Sequence, residues 1–186
     1  MKRPAIYADI QALPENLVGE IIDDELIVTP RPALRHCRAS TVLTYELVGP
    51  FQLGRGGPGG WWIIDEPELH LGRQVLVPDL AGWRRERLPV IPDAVWLELA
   101  PDWICEVLSP STERIDRSRK LKHYANHGVP WIWFLNPVAK TLEVLQLRDG
   151  AWMIVATHGE DELVRAAPFE VHELDLRSVW GDGDGG

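Results

Sequence analysis

The reading of residues 104–137, ICEVLSPSTERIDRSRKLKHYANHGVPWIWFLNP, decides the fold. It opens at the end of DWICEVL, an almost unbroken apolar run of the kind found in strands covered on both faces. Glu106 interrupts the run and shares a face with Ile104 and Leu108, where an ionised carboxylate is costly unless it is paired or holds a metal. Ser109-Pro110 ends the strand, and the spacing predicts a helix over 113–126. Thr112 stands at its N-cap, with Glu113 and Asp116 at the positive end of its dipole. Gly128 and Pro130 stand where that helix must stop. WIWFLNP then reads as a second buried strand. Asp116, Lys120 and Tyr124 are four apart, so they line one helix face. That face can fold back over the sheet end that carries Glu106.

Upstream, GEIIDDELIVTP (residues 19–30) reads as a hairpin turning at Asp23-Asp24. Residues 33–49 have helical spacing, with Gly49-Pro50 as the expected stop. GRGGPGG (54–60) is a loop, and it lacks the Lys-Ser/Thr ending of a phosphate-binding loop. WWIIDEPELHL and QVLVPDLAGW read as extended. Within the second, Pro78 forbids a ladder hydrogen bond, so the strand ends, bulges or lies at an edge beside Asp79. Residues 84–100 read as a loop with at most one helical turn. Downstream, a hairpin is expected around Asp149-Gly150, a strand or short helix within 162–180, and a frayed acidic, glycine-rich tail over 181–186. The order predicts an α/β (α+β) domain over residues 1–180, with a mixed central β-sheet flanked by helices and an N-terminal β-hairpin.

Composition narrows the function. The 186 residues are 45% apolar and 25% charged, ordinary for one globular domain. No window approaches a membrane span, and MKRPAIYADIQALPE has no apolar core of a signal peptide. Cys37 and Cys105 show no framework spacing, so a reducing cytoplasm is the expected location. The formal net charge of -9 opposes nucleic acid, but it is unevenly spread. Acids crowd residues 158–186, whereas Arg114, Arg117, Arg119, Lys120 and Lys122 form a basic run.

Asp79 and Glu106, lone acids in apolar strands, together with Lys120 supply what metal-assisted phosphodiester hydrolysis needs. Hard oxygen ligands suit Mg²⁺ or Mn²⁺, and an ammonium group stabilises the transition state. Each residue also has an ordinary structural reading. Glu106 would pair with an arginine, Asp79 would cap a turn, and Asp116 with Lys120 would be an i,i+4 pair. The nine tryptophans read as packing rather than as base-stacking platforms, and the histidines lack zinc-ligand spacing.

The 104–137 stretch resembles the Uma family of bacterial restriction endonucleases. That family runs a glutamate strand, a Leu-Ser-Pro-Ser-Thr turn, an Asp-x-x-x-Lys helix ending in Tyr and Gly-Val, and an aromatic strand closed by Asp-Pro. GEIIDDEL resembles its opening hairpin, VPDL its Pro-Asp motif, and His36 stands where it carries a histidine opening its first helix. The resemblance spans about residues 7–180. It implies a PD-(D/E)XK nuclease fold, with Asp79 and Glu106 as metal ligands, Lys120 as the catalytic lysine and Glu20 as an accessory acid. It also implies a DNA substrate and, by analogy, a homodimer. The usual lysine position two residues after the glutamate is Leu108 here, so the resemblance implies a lysine moved to the helix. Asn136 and Asp24 depart from the family's aspartate and glycine. A catalytically silent module of the same fold, binding nucleic acid or protein, is the alternative reading.

Overall fold

The structure, a computed structural model, describes residues 3–181. The chain starts with a short helix α1 (Tyr7–Gln11) and the hairpin β1 (Val18–Ile22) and β2 (Glu25–Thr29), followed by α2 (Leu34–Leu47). Next come β3 (Trp61–Asp65), β4 (Glu68–Leu71), β5 (Gln74–Leu76), β6 (Leu80–Arg84), β7 (Trp96–Leu97) and β8 (Trp103–Val107). Two helical pieces, α3 (Glu113–Ile115) and α4 (Leu121–Asn126), flank a π turn at Asp116–Lys120. The chain then forms β9 (Trp131–Asn136), β10 (Thr141–Arg148), β11 (Ala151–Gly159), β12 (Leu163–Val164), β13 (Leu174–Asp175) and α5 (Leu176–Trp180).

Six strands form the main sheet in the order β11-β10-β9-β8-β6-β3, and five form a second sheet, β2-β1-β5-β4-β7. In the main sheet β8 and β9 run parallel and the other neighbours antiparallel, so it is mixed as expected. A parallel pair needs a long crossover. The 113–126 helical segment supplies it. Alternation along β8 sorts its side chains. Cys105 and Val107 join a core with Ala39, Leu43 and Leu47 of α2 and with Leu176 and Val179 of α5. Ile104 and Leu108 join a core with Tyr124 of α4 and with Leu69, Leu71 and Leu76 of the second sheet. Trp83, Trp103 and Trp133 are wholly inside, whereas Trp96 is exposed. The tryptophans are therefore mainly packing residues.

Several local expectations change. WWIIDEPELHL and QVLVPDLAGW each break into two strands that lie in different sheets. The breaks fall at Glu66-Pro67 and Val77-Pro78-Asp79. They are stitched together by the Glu66 N–H donating to the Asp79 carbonyl at 3.0 Å. Pro78 thus marks a strand end. Residues 84–100 contain one tight turn, where the Leu88 N–H donates to the Arg84 carbonyl at 3.0 Å, and also the short strand β7, which is not expected from the sequence. Helix α2 does not stop at Gly49-Pro50 but widens there into a π turn, Val48–Gln52. Proline has no N–H to donate and its ring crowds the carbonyl one turn back, and a wider turn accommodates both. Thr112 occupies the N-cap of α3 without a side-chain cap bond, and the hydroxyl of Ser109 accepts from the Thr112 N–H instead. Of the tail expected over 181–186, residues 182–186 lie outside the described residues, and Gly181 is the left-handed C-cap of α5. Among the described residues no helix is long and apolar enough to cross a membrane.

The β1–β2 turn shows why the hairpin lies where it does. Asp23 and Asp24 both have positive φ (53° and 64°), the signature of a two-residue hairpin turn of the primed type. Asp23 accepts from Arg119 Nε at 3.0 Å and contacts His123 Nε2 at 2.9 Å. Arg119 also donates to Glu25 and to the Ile22 carbonyl. The hairpin is therefore clamped to the helical segment that carries Lys120. Among the described residues the Asp24 side chain makes only a surface pair with Arg73. Asp24→Gly should raise stability by about 0.5–1 kcal/mol, because glycine carries no steric penalty at that φ. Asp23→Ala should lower it by about 1–2 kcal/mol, as the clamp is lost and the φ stays strained. Thermal unfolding of the two variants measures both.

Candidate active site

The clamp and the crossover bring three separate elements to one point. Lys120, at the end of the π turn, directs its ammonium to Glu106 Oε1 of β8 at 3.0 Å and to Glu20 Oε1 of β1 at 3.0 Å. Asp116, one turn earlier, lies 3.5 Å away. All four residues are buried, each at most 6% exposed. Tyr124 donates its hydroxyl to Glu106 Oε1 at 2.7 Å, and the Val77 N–H donates to Glu20 Oε1 at 2.8 Å. The i,i+4 face read from Asp116, Lys120 and Tyr124 is thus the face that meets the sheet. Because the middle turn is a π turn, the lysine is carried on a locally widened helix, a feature that recurs at functional sites.

Asp79 lines the same cavity. Its Oδ2 accepts from the Val107 N–H at 2.6 Å, which pins it beside the strand that carries Glu106. Its Oδ1 lies 3.1 Å from Nε2 of His36, from the first turn of α2. The cavity, ≈ 340 Å³, is lined by Glu20, Asp79, Glu106, Asp116 and Lys120 and also by His36 and Glu66. Its walls also include Pro30, Arg31 and Pro32 and the segment from Ser109 to Thr112. The four site residues read from the sequence, Glu20, Asp79, Glu106 and Lys120, therefore face one space.

Electrostatics follow from burial. Removal from water pushes the Glu106 carboxyl well above the usual range, opposed by Lys120 and reinforced by Asp116, Asp79 and Glu20. Burial also raises the Asp116 carboxyl. Burial works against the Lys120 ammonium, but Glu106 and Glu20 outweigh it and hold the group charged. For His36 burial again disfavours the cation, and the hydrogen bond and charge of Asp79 prevail to raise its pKa. Burial and the nearby Asp65 and Asp79 raise the Glu66 carboxyl.

The donor set suits a hard divalent cation. Mg²⁺ takes oxygen ligands, commonly one or two carboxylates with retained waters, rather than a closed protein cage. The cavity offers carboxylates and the hydroxyls of Ser109, Ser111 and Thr112 beside His36, and among the described residues no three His, Cys, Asp or Glu side chains form a ready-made cage. The residues present therefore fit Mg²⁺ or Mn²⁺ better than a structural zinc.

The basic run does not form the open patch the sequence suggests. Arg117 is taken by Glu113 and Glu143, and Arg119 by Asp23 and Glu25. Lys120 is buried, which leaves Arg114 and Lys122 of the run exposed. Four further groups stand at the site without a role assigned from the sequence: Asp116, Tyr124, His36 and Glu66. Asp116 and Tyr124 were signalled by helical spacing, and His36 only by its place in the family pattern. Glu66 had no signal beyond the following proline, since it sits inside a stretch that reads as continuous strand.

Comparison with known proteins agrees with this architecture. A crystal structure described as "a putative nuclease belonging to DUF820 from Anabaena variabilis" superposes with a TM-score of 0.76 at 22% identity, covering 95% of this chain and 98% of that one. At that identity the likeness speaks for the fold. No curated protein sequence matches the chain. A family model, Uma2, described as "Putative restriction endonuclease", matches residues 7–177. The match covers nearly the whole chain and every residue of the site, and the protein belongs to the Uma2 family.

Proposed function

We propose that the protein is a divalent-metal-dependent DNA endonuclease of the PD-(D/E)XK type, acting on phosphodiester bonds. The observation that carries the reading is the meeting of Lys120, Glu106 and Glu20, from helix, strand and hairpin, on a cavity that Asp79 also lines. Asp79 and Glu106 are the residues to hold Mg²⁺ or Mn²⁺, with Glu20 as accessory acid. When bound, such an ion acts as a Lewis acid on the phosphodiester and supplies a nucleophile from water at neutral pH.

The chain's own groups do the rest. Lys120, encircled by carboxylates, stays an ammonium and serves as the cation that stabilises charge developing on the phosphorane. It does not serve as a base. Tyr124 and the Val77 N–H fix the rotamers of Glu106 and Glu20. His36 and the Val107 N–H do the same for Asp79. Held in this way, the groups need little reorganisation when a phosphate arrives.

Two observations favour the alternative, a catalytically silent nucleic-acid- or protein-binding module, and the second of them favours protein over nucleic acid as its partner. Glu20, Asp79 and Glu106 all have partners inside the protein, and the formal net charge is -9. Titration calorimetry with Mn²⁺ separates the readings, since a silent module needs no metal.

Purified protein should cut single- or double-stranded DNA in Mg²⁺ or Mn²⁺ and not in chelator. Glu106→Gln and Asp79→Asn, which preserve shape, should reduce cleavage to background while circular dichroism is unchanged. Cleavage that survives Glu106→Gln removes this site from the mechanism. Lys120→Ala is a poorer probe of chemistry, because it leaves three buried carboxylates without their cation. It should cost about 3–5 kcal/mol of stability in urea unfolding.

A further inference from the structure

Five carboxylates line the cavity: Glu20, Glu66, Asp79, Glu106 and Asp116. Four of them are committed. Glu20, Glu106 and Asp116 surround Lys120, and Asp79 is held by His36 and the Val107 N–H. Glu66 differs. Its side chain makes no hydrogen bond or ion pair with any described residue, and the residue is exposed to solvent. Its backbone is nonetheless fixed. The Glu66 N–H donates to the Asp79 carbonyl at 3.0 Å, so the two residues sit side by side where the chain passes between sheets. Glu66 also has a φ of 44°, in the left-handed region that favours glycine. A residue type that strains the backbone and makes no compensating contact is one that stability alone does not explain.

We infer that Glu66 is a further ligand for the divalent cation, beside Asp79, an assignment that rests on the nuclease reading above. The argument is one of cost. For Glu106 or Glu20 to turn an oxygen to a cation, each must share or surrender a bond to Lys120, Tyr124 or a backbone amide. Glu66 gives up only water. Mg²⁺ and Mn²⁺ keep part of their hydration shell and accept carboxylates one at a time, so they need no set of ligands converged in advance. Glu66 is exposed and lines the same cavity as Asp79, so it can turn an oxygen to an ion there, while Asp79 beside it is already oriented.

Titration calorimetry of the full chain with Mn²⁺, paired with thermal unfolding, tests this. Glu66→Gln is expected to weaken Mn²⁺ binding roughly ten-fold or more with little change in stability. Glu66→Gly is expected to weaken binding equally while raising the unfolding temperature, since glycine relieves the positive φ. A merely structural glutamate would move stability downward and leave affinity alone. If wild type binds Mn²⁺ and both variants bind it as tightly, Glu66 is not a ligand and the nuclease reading stands. If wild type binds no Mn²⁺, the metal-dependent reading fails, and this inference with it.

Discussion

One buried ammonium organises the molecule. Lys120 is almost inaccessible, and a lone lysine there would lose several kcal/mol of hydration. It is tolerated because Glu106, Glu20 and Asp116 answer its charge from three directions. The reverse also holds. Three carboxylates this deep would repel one another without the cation between them. Neither sign of charge is stable without the other, so the hairpin, the central strand and the crossover helix must arrive together. Such a centre contributes little net stability beside an apolar core of equal volume. Stability alone therefore does not account for its presence in a protein otherwise held by leucine, isoleucine and tryptophan packing.

The surrounding structure reads as support for that centre. The Arg119–Asp23 contact ties the hairpin turn to the helical segment, fixing Glu20 relative to Lys120. The π turn sets the direction from which the lysine enters. Beneath the cluster, Ile104, Leu108, Tyr124 and Phe134 pack as one apolar layer, so Glu106 emerges from a rigid floor. The parallel pairing of β8 with β9 is equally consequential, because it is what requires a helix at this position.

Much of this was legible in the residues, for identifiable reasons. Glu106 announced itself as a charge in an apolar strand, and the i,i+4 spacing of Asp116, Lys120 and Tyr124 gave the correct face. Asp23-Asp24, Asp149-Gly150 and Pro78 marked turns and an end through their backbone preferences. What escaped was non-local. Nothing in WWIIDEPELHL shows that its halves belong to different sheets, because both have strand propensity and partner choice is decided by distant chain. The basic run looked open because its acceptors, Asp23, Glu25 and Glu143, lie far from it in sequence. Glu66 was hidden for the same reason: its neighbour Asp79 comes after a whole hairpin.

That hairpin has a wider meaning. Strands β3 and β6 pair directly in the main sheet, from Trp61 with Arg84 to Asp65 with Leu80. Residues 66–79 are therefore an overgrown turn of one simple ribbon, which leaves the main sheet and returns to the place it left. The excursion is nevertheless built in: its strand β5 pairs with the hairpin strand that carries Glu20, Leu69, Leu71 and Leu76 lie in the core, and the Val77 N–H holds Glu20. Glu66 and Asp79 stand at the two posts of that gateway. A change in the excursion is therefore felt at Glu20 and Asp79 alike, so the second sheet and the cavity must change together.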